Sequence, residues 1–264
     1  DATHLYLLVD TALHMARSAP VHTGRQVATP FAAESHRIVM PSLRLPRRAL
    51  VVAAAALGAG AAEPARFADE LEAFAAADRA GRSPAGALLF VGSSTIRLWP
   101  DLAARFAPRP VVQRGFGGST LAEVVQHRTL LFDPHRPDAL VVYAGENDVA
   151  EGAAPEAVVA RWRALRAALA GTPAGAAPVV FIELKPSPAR FELWPRMAAV
   201  NAAMRVLGTH RPDAFVDTAG FVLDGRGLPR RELFADDSLH FAAPGYVELT
   251  HAVSLALKRL DLTR

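Results

Sequence analysis

The stretch "ALLFVGSSTIRLWP", residues 87–100, decides the fold. Its apolar run over residues 87–91 is typical of a buried strand, and the run ends abruptly at Gly92 before two serines. A helical pattern then begins. A serine at this place either caps the new helix or carries a nucleophilic hydroxyl at the end of a strand. Both interpretations therefore apply to Ser93 and Ser94.

Four further apolar runs follow along the chain, and helix-like segments separate them. We predict strands at 87–91, 111–113, 139–143, 178–184 and 214–216, and helices at 96–106, 119–131, 155–171, 193–208 and 245–260. Strands that alternate with helices indicate βαβ units, because parallel strands need crossover connections. The sequence therefore predicts an α/β fold of three layers, in which helices cover both faces of a central parallel sheet of about five strands.

Composition and charge limit the classes of function. The chain has 264 residues, of which 51% are hydrophobic, so we expect a globular protein rather than a disordered one. It has no cysteine, which excludes disulfides, thiolate metal sites and cysteine nucleophiles. The net charge of +3 belongs to residues 1–62, because the rest of the chain has equal numbers of basic and acidic side chains. A neutral body without a basic cluster predicts no binding to nucleic acid.

Residues 40–62 have the layout of a secretory signal peptide. Three arginines precede an apolar run over residues 49–62, and small residues end that run. The run is too short to span a bilayer, so we expect no stable membrane anchor. The sequence thus predicts a secreted or periplasmic protein, with residues 1–39 as an upstream, non-native or disordered extension and residues 63–264 as one domain. A disordered alanine-rich linker is the alternative interpretation of residues 40–62.

Polar or glycine-rich loops follow the predicted strands. Ser93 and Ser94 come after the first strand, "RGFGGST" (114–120) after the second and "AGENDVA" (144–150) after the third, while "LFADDSLHF" (233–241) precedes the last helix. In an open parallel sheet, ligands bind in the crevice at the carboxyl ends of the strands. We therefore expect the four segments to converge on one edge of the sheet.

Together, these loops hold the residue types that nucleophilic catalysis needs. A serine hydroxyl such as that of Ser94 needs a base, which His240 can supply, and Asp237 can orient the imidazole through its Nδ1. Attack on an ester places negative charge on the carbonyl oxygen, which needs preorganised donors. The backbone N–H groups of Ser94 and Gly118 and the side-chain amide of Asn147 are candidates for that oxyanion hole.

Other interpretations of these residues stay open at this point. Ser94 could be only the N-cap of the following helix, and Ser93 is the fallback nucleophile. Asp236 competes with Asp237 as the acid that orients the histidine. We expect Asp148, next to the candidate amide, to be structural.

At these positions the chain resembles the SGNH hydrolases, also called the GDSL esterase/lipase family, which carry Ser, Gly, Asn and His in four blocks. The similar blocks follow in the family order and are Gly92-Ser93-Ser94, "RGFGGST", Gly145-Glu146-Asn147-Asp148 and Asp237-Ser238-Leu239-His240. The resemblance implies a flavodoxin-like sheet, no cofactor and no metal. It also implies Ser94, Asp237 and His240 as catalytic residues, with an oxyanion hole formed by Ser94, Gly118 and Asn147.

Two positions depart from the family pattern. Ser93 stands where Asp is usual, and Ser119 stands where many members have Asp. Neither position belongs to the predicted triad, so we expect the chemistry to be kept while the class of substrate stays open. The segment "ELKPSPARFELWPRM", residues 183–197, resembles bacterial secreted and acetylhydrolase-like members, and the sequence assigns it no catalytic role.

These features predict a serine esterase that hydrolyses short-acyl or O-acetyl esters of small molecules or carbohydrates through an acyl-enzyme. The alternatives are a lysophospholipase or thioesterase-type acyl hydrolase, and a non-catalytic secreted carbohydrate-binding protein. Nucleotide binding is disfavoured because the glycine loop has no lysine, and an α/β-hydrolase because no Gly-x-Ser-x-Gly occurs. Asp236, Asp237 and His240 alone are too few ligands for a zinc hydrolase. The oligomeric state stays open.

Secreted material should begin near Ala62 or Glu63 if residues 40–62 are a signal peptide. The intact mass of protein recovered from the medium or periplasm, after expression of the full chain, checks this prediction. A recovered mass that retained residues 1–39 would contradict it.

Overall fold

The computed structural model describes residues 66–81, 83–208 and 213–262. These residues belong to the second of two units into which the chain divides, Ala59–Arg264. The predicted extension (1–39), the predicted signal peptide (40–62) and the predicted start of the domain at residue 63 lie outside the described residues.

A five-stranded parallel sheet forms the centre of the fold. Its strands are β1 (Leu88–Gly92), β2 (Val111–Gly115), β3 (Ala139–Tyr143), β4 (Val179–Ile182) and β5 (Ala214–Val216). They lie in the order β2-β1-β3-β4-β5, which is the flavodoxin-like order. All residues of β1, β3 and β4 are buried, as expected for parallel strands that are covered on both faces. The prediction of an α/β fold with about five parallel strands is confirmed.

Helices connect the strands and cover both faces of the sheet. In the described residues they are α1 (Ala68–Ala80), α2 (Ser94–Arg97), α3 (Leu102–Arg105), α4 (Leu121–Gln126), α5 (Arg128–Phe132), α6 (Glu146–Ala150), α7 (Pro155–Leu169), α8 (Pro173–Ala176), α9 (Trp194–Gly208), α10 (Ala219–Val222) and α11 (Ala243–Arg259). Two 3₁₀ helices occupy Pro188–Leu193 and Arg231–Leu233. No helix in this part of the chain combines the length and the apolar character that crossing a membrane requires.

Side chains of β1 alternate between two hydrophobic cores, one on each face of the sheet. Leu89 and Val91 belong to the core that includes residues of α7 and α9, whereas Leu88 and Phe90 belong to the core that includes residues of α11. This alternation follows from the two-residue period of a strand. The sheet is therefore the middle one of three layers.

Two predicted helices are broken where the sequence analysis expected continuous ones. The segment 96–106 contains the end of α2 and all of α3, and the two helices are separated at Pro100 and by Asp101 at a left-handed φ of 53°. Proline lacks the N–H that a helix interior needs, so the first helix ends before it. The segment 119–131 divides into α4 and α5 at His127, whose φ of −96° and ψ of 14° leave the helical region.

His135 is a buried titratable group in the segment between α5 and β3. It is 1% exposed, and its Nδ1 lies 2.5 Å from the hydroxyl oxygen of Ser83. Burial lowers the pKa of His135 from 6.5 to about 4; the neighbouring charge of Arg114 also lowers it, while Asp78 opposes the shift. The folded state therefore holds the neutral imidazole where the unfolded chain would already bind a proton.

Acid should destabilise the fold through His135. Because the unfolded imidazole has the higher pKa, stability is present above about pH 6.5 and is lost as the pH falls towards 4. Between pH 7 and pH 5, the free energy of unfolding of the wild type should fall by about 1–2 kcal/mol more than that of His135→Asn. Urea unfolding at both pH values measures the difference, and equal losses in the two proteins would contradict the assignment.

Candidate active site

The register of the sheet brings three of the four predicted loops together. Gly92 at the end of β1 pairs with Gly115 of β2 on one side and with Tyr143 of β3 on the other. The chain leaves all three strands at the same edge, at the point where the strand order reverses. A pocket of about 190 Å³ lies there, and its wall includes Ser93, Ser94, Gly118, Asn147 and His240.

Ser94 is the first residue of α2, and its hydroxyl faces the predicted base. Its Oγ lies 2.9 Å from Nε2 of His240. Ser93 holds the N-cap position and makes no side-chain capping bond, so capping is not the role of Ser94. Ser93 is 3% exposed and donates its backbone N–H to the carbonyl of Tyr143; within the described residues, no hydrogen bond joins it to His240.

Gly92 makes the close approach of the serine loop to the sheet possible. Its φ is +150°, and a Cβ at this position would lie 1.9 Å from the carbonyl oxygen of Tyr143. Only glycine avoids that collision, because it has no side chain. The chain thereby turns from β1 directly into α2, and Ser94 is held at the end of the strand.

Asp237 contacts the other nitrogen of the histidine. Its Oδ2 lies 2.5 Å from Nδ1 of His240, and its Oδ1 accepts the backbone N–H groups of Leu239 and His240 at 2.9 Å each. Desolvation raises the pKa of this carboxyl, but the hydrogen bonds from the His240 ring and from the two N–H groups outweigh it and lower the pKa to about 2. Asp237 is therefore ionised at neutral pH. Asp236 is exposed, and its backbone carbonyl accepts a hydrogen bond from Arg231; among the described residues, no hydrogen bond joins its carboxylate to His240.

The segment around Asp237 forms a closed turn that fixes the spacing of acid and base. The N–H of Ala235 donates to the carbonyl of His240 at 2.8 Å, and the N–H of Ser238 donates to the carbonyl of Ala235 at 2.9 Å. Ser238 adopts a left-handed φ of 60°, which is costly for a residue other than glycine. The turn thereby brings His240 back over Asp237.

The glycine loop reaches the pocket through Gly118. Its φ is +75°, a backbone conformation that residues other than glycine rarely adopt. Its carbonyl accepts a hydrogen bond from Nη2 of Arg66 at 2.7 Å. Thr120 then starts α4 with a capping box, in which its side chain and that of Glu123 bond reciprocally to backbone N–H groups. The loop is thus fixed at its glycine and at the start of the following helix.

Asn147 and Asp148 connect the third loop to the second. Nδ2 of Asn147 donates to the carbonyl of Ser119 at 2.9 Å. Asp148 is fully buried, and its carboxylate accepts the N–H of Leu121 at 2.6 Å and the Nη1 of Arg161 at 2.6 Å. These contacts agree with the structural role expected of Asp148.

A buried group of charged residues beside the pocket was missed by the sequence analysis. Nζ of Lys185 lies 2.6 Å from Oε2 of Glu146, which also accepts the hydroxyl of Tyr143, and Nη1 of Arg190 lies 3.1 Å from Oε1 of Glu146. Glu146, Lys185 and Arg190 line the pocket, together with Arg97 and Leu239. A signal existed in the sequence, since Lys185 is one of only two lysines and comes directly after the predicted strand 178–184.

The ion pairs of this group decide its charge state. Burial raises the pKa of Glu146, but the charges of Lys185 and Arg190 outweigh it, so its pKa lies below the usual value. Burial also lowers the pKa of Lys185, against the attraction of Glu146. Glu146 is therefore a carboxylate at neutral pH. In the described part of the chain, no group of three or more His, Asp or Glu side chains is arranged to hold a metal ion.

A comparison with known protein families identifies the family of this chain. The model of the GDSL-like lipase/acylhydrolase family matches residues 80–247. The chain belongs to this family. The matched range contains all the segments that form the pocket, and membership in the GDSL-like lipase/acylhydrolase family supports a general ester-hydrolysing function.

Solved structures share the fold of this GDSL-like chain at low sequence identity. A GDSL-like lipase from Bacteroides thetaiotaomicron is 17% identical with a TM-score of 0.63, and the match covers 72% of this chain and 97% of that one. A protein described as an acylhydrolase from Bacteroides fragilis is also 17% identical with a TM-score of 0.63, and its match covers 74% of this chain and 97% of that one. A lipase/acylhydrolase from Enterococcus faecalis is 16% identical with a TM-score of 0.53, and its match covers 66% of this chain and 95% of that one. No curated protein matches the chain.

Replacing Asp237 should damage ester hydrolysis far more than replacing Asp236. In Asp237→Asn the side chain no longer supplies a carboxylate to His240, and the rate should fall roughly 10²- to 10⁴-fold. Asp236→Asn removes the same charge one residue earlier, without a contact to the ring, and should keep most of the rate. Steady-state kinetics on p-nitrophenyl acetate compares the two variants, and equal losses would contradict the geometry described above.

Proposed function

We propose that this protein is a serine esterase that hydrolyses short-acyl or O-acetyl esters through an acyl-enzyme intermediate. The observation that carries the proposal is the unbroken chain of contacts from Ser94 Oγ to His240 Nε2 (2.9 Å) and from His240 Nδ1 to Asp237 Oδ2 (2.5 Å). Both distances allow hydrogen bonds, and a serine needs such a base to become a nucleophile.

In the first half of the reaction, Ser94 Oγ attacks the carbonyl carbon of the ester while Nε2 of His240 accepts the hydroxyl proton. The ionised Asp237 keeps the proton of the ring on Nδ1 and stabilises the imidazolium that forms. Collapse of the tetrahedral intermediate breaks the bond to the alcohol oxygen, and His240 returns its proton to that oxygen. The products are the free alcohol and an acylated Ser94.

The oxyanion of that intermediate needs donors on the opposite side of the carbonyl from the base. We assign this role to the backbone N–H groups of Ser94 and Gly118 and to Nδ2 of Asn147. Support comes from the pocket wall, which these three residues share with His240. One hydrogen of the Asn147 amide is used by the carbonyl of Ser119, which leaves its second hydrogen for the substrate.

The second half of the reaction releases the acyl group. Water attacks the acyl carbon, and His240 again accepts the proton through Nε2. The second tetrahedral intermediate expels Ser94 Oγ, which takes the proton back from His240. The products are the carboxylic acid and the free enzyme, so atoms and charge balance without a further reactant.

The character of the pocket favours a short acyl group. Its volume is about 190 Å³, and charged side chains form much of its wall, including Glu146, Lys185 and Arg190. A long alkyl chain placed there would cover the guanidinium groups of Arg97 and Arg190, which still contact water, without replacing that hydration, and this is unfavourable. An acetyl group, or an acetylated sugar with hydroxyls to share, avoids that cost. Lysophospholipase and thioesterase activities on long acyl chains are therefore the less favoured alternatives.

We further propose that the protein acts in the periplasm or outside the cell, on acetylated carbohydrates or small esters. The signal-peptide layout of residues 40–62 supports the location. The polar pocket wall supports the class of substrate.

Hydrolysis of p-nitrophenyl acetate, butyrate and octanoate, together with an O-acetylated monosaccharide, tests the function. We expect kcat/KM to fall by roughly tenfold or more from acetate to octanoate, because the added methylenes would meet charged groups. Ser94→Ala should lose roughly 10³-fold or more, because the nucleophile is gone.

Ser93→Ala is the matched control, since it removes a neighbouring hydroxyl that lies beside the same pocket. It should retain most of the rate, with the same unfolding temperature as Ser94→Ala. Preference for octanoate would favour the long-chain acyl hydrolases instead. A folded wild type without activity on any ester would favour the carbohydrate-binding protein, and equal activity in the wild type and both variants would refute the mechanism.

A further inference from the structure

We propose that Arg190 is a positioning residue that fixes the orientation of the Asn147 amide in the oxyanion hole. The inference rests on the proposed function, because the amide matters only if an oxyanion forms beside it. It gives a role to the segment 183–197, to which the sequence analysis assigned none. The observation that carries it is the contact of 2.9 Å between Nη1 of Arg190 and Oδ1 of Asn147.

An asparagine amide can present either of its ends to a ligand. Rotation by 180° exchanges Nδ2 and Oδ1, and the two orientations differ little in shape. With Nδ2 towards the substrate, Asn147 donates to the oxyanion. With Oδ1 in that place, it would repel the developing charge. The oxyanion hole therefore works only if something selects one orientation before the reaction.

Two neighbours of Asn147 select the same orientation. Arg190 is a donor without acceptor atoms, and it faces Oδ1; the carbonyl of Ser119 is an acceptor without a hydrogen, and it faces Nδ2 at 2.9 Å. Reversing the amide would set two donors against each other and two acceptors against each other. Without Arg190, only the single contact to Ser119 would oppose the reversal.

The guanidinium itself is held in place by a buried anion. Nη1 of Arg190 also contacts Oε1 of Glu146 at 3.1 Å, and Glu146 is the residue directly before Asn147. The carboxylate of Glu146 is in turn held by Nζ of Lys185 at 2.6 Å and by the hydroxyl of Tyr143. A fixed carboxylate and the amide oxygen thus share one Nη1 donor, so the position of Glu146 determines that of Arg190.

The arrangement distinguishes positioning from direct contact with substrate. Arg190 lines the pocket, so a guanidinium that bound the substrate by itself would also affect the rate. If Arg190 acts through Asn147, its removal costs nothing once the amide is absent. If it acts independently, the two losses multiply.

A double-mutant cycle on kcat for p-nitrophenyl acetate makes that distinction. Asn147→Ala should lower kcat roughly 10²-fold, as expected for one lost oxyanion donor. Arg190→Met, which keeps the length of the side chain and removes its donors, should lower kcat roughly tenfold with KM changed less than about threefold. The double variant should lie within about twofold of Asn147→Ala alone.

Arg196→Met is the matched control. Arg196 also hydrogen-bonds to the protein, but its partners are the carbonyls of Gly152 and Ala153, and it does not line the pocket. Its variant should keep the wild-type kcat. Thermal unfolding checks that each protein is folded; if Arg190→Met is not, Arg190→Lys takes its place in the cycle with the same expected absence of further loss beside Asn147→Ala.

Each outcome separates the two proposals. Wild-type hydrolysis, together with multiplied losses in the double variant or no loss in Arg190→Met, would overturn the role of Arg190 and leave the proposed function intact. A folded wild type that hydrolyses no ester would overturn both. A loss in Arg190→Met that disappears in the Asn147→Ala background supports the positioning role.

Discussion

The pairing register of β1 with its two neighbours is the constraint on which the site depends. Gly92 lies opposite Gly115 on one side and Tyr143 on the other, so three loops leave the sheet at the same level. Because the side-chain period of a strand is two residues, a slip by one residue would turn each buried side chain to the opposite core and carry Ser94 away from His240. The apolar side chains of the strand thus hold the register, and the glycine at its end lets the loop approach. Packing energy in the core therefore keeps the hydroxyl of Ser94 in place.

Burial of Glu146 and Lys185 beside the pocket is not explained by stability. A buried ion pair gains attraction but loses the hydration of both charges, and the two terms nearly cancel in many proteins. What the pair provides is a fixed orientation of the Glu146 carboxylate, since each of its oxygens has its own hydrogen-bond donors. Arg190 joins that arrangement from a separate segment and reaches the amide of Asn147. The same charges make the pocket polar, so the proposed oxyanion hole and the proposed preference for a small acyl group have one physical origin.

The sequence predicts the residues whose partners are local or whose loops leave a recognisable strand. Asp237 and His240 are three residues apart and their contact forms inside one turn, and Ser94 follows a strand that its composition identifies. The contact between Glu146 and Lys185 joins residues 39 positions apart, and it depends on how a helical crossover returns the chain to the neighbouring strand. No local pattern encodes that distance. Two predicted helices are wrongly continuous for a related reason. Their apolar period continues through positions where a proline or a residue with non-helical backbone angles interrupts the helix.

Two acid-sensitive groups of this protein respond in different ranges of pH. The carboxyl of Asp237 is half exposed, yet three hydrogen bonds lower its pKa to about 2, so it keeps its charge in moderate acid. His135 lies elsewhere in the fold, and its lowered pKa makes the folded state lose stability well before Asp237 is protonated. A histidine that does not line the pocket therefore makes the fold sensitive to acid. The carboxylate that contacts the His240 ring therefore stays ionised at pH values where the fold already loses stability.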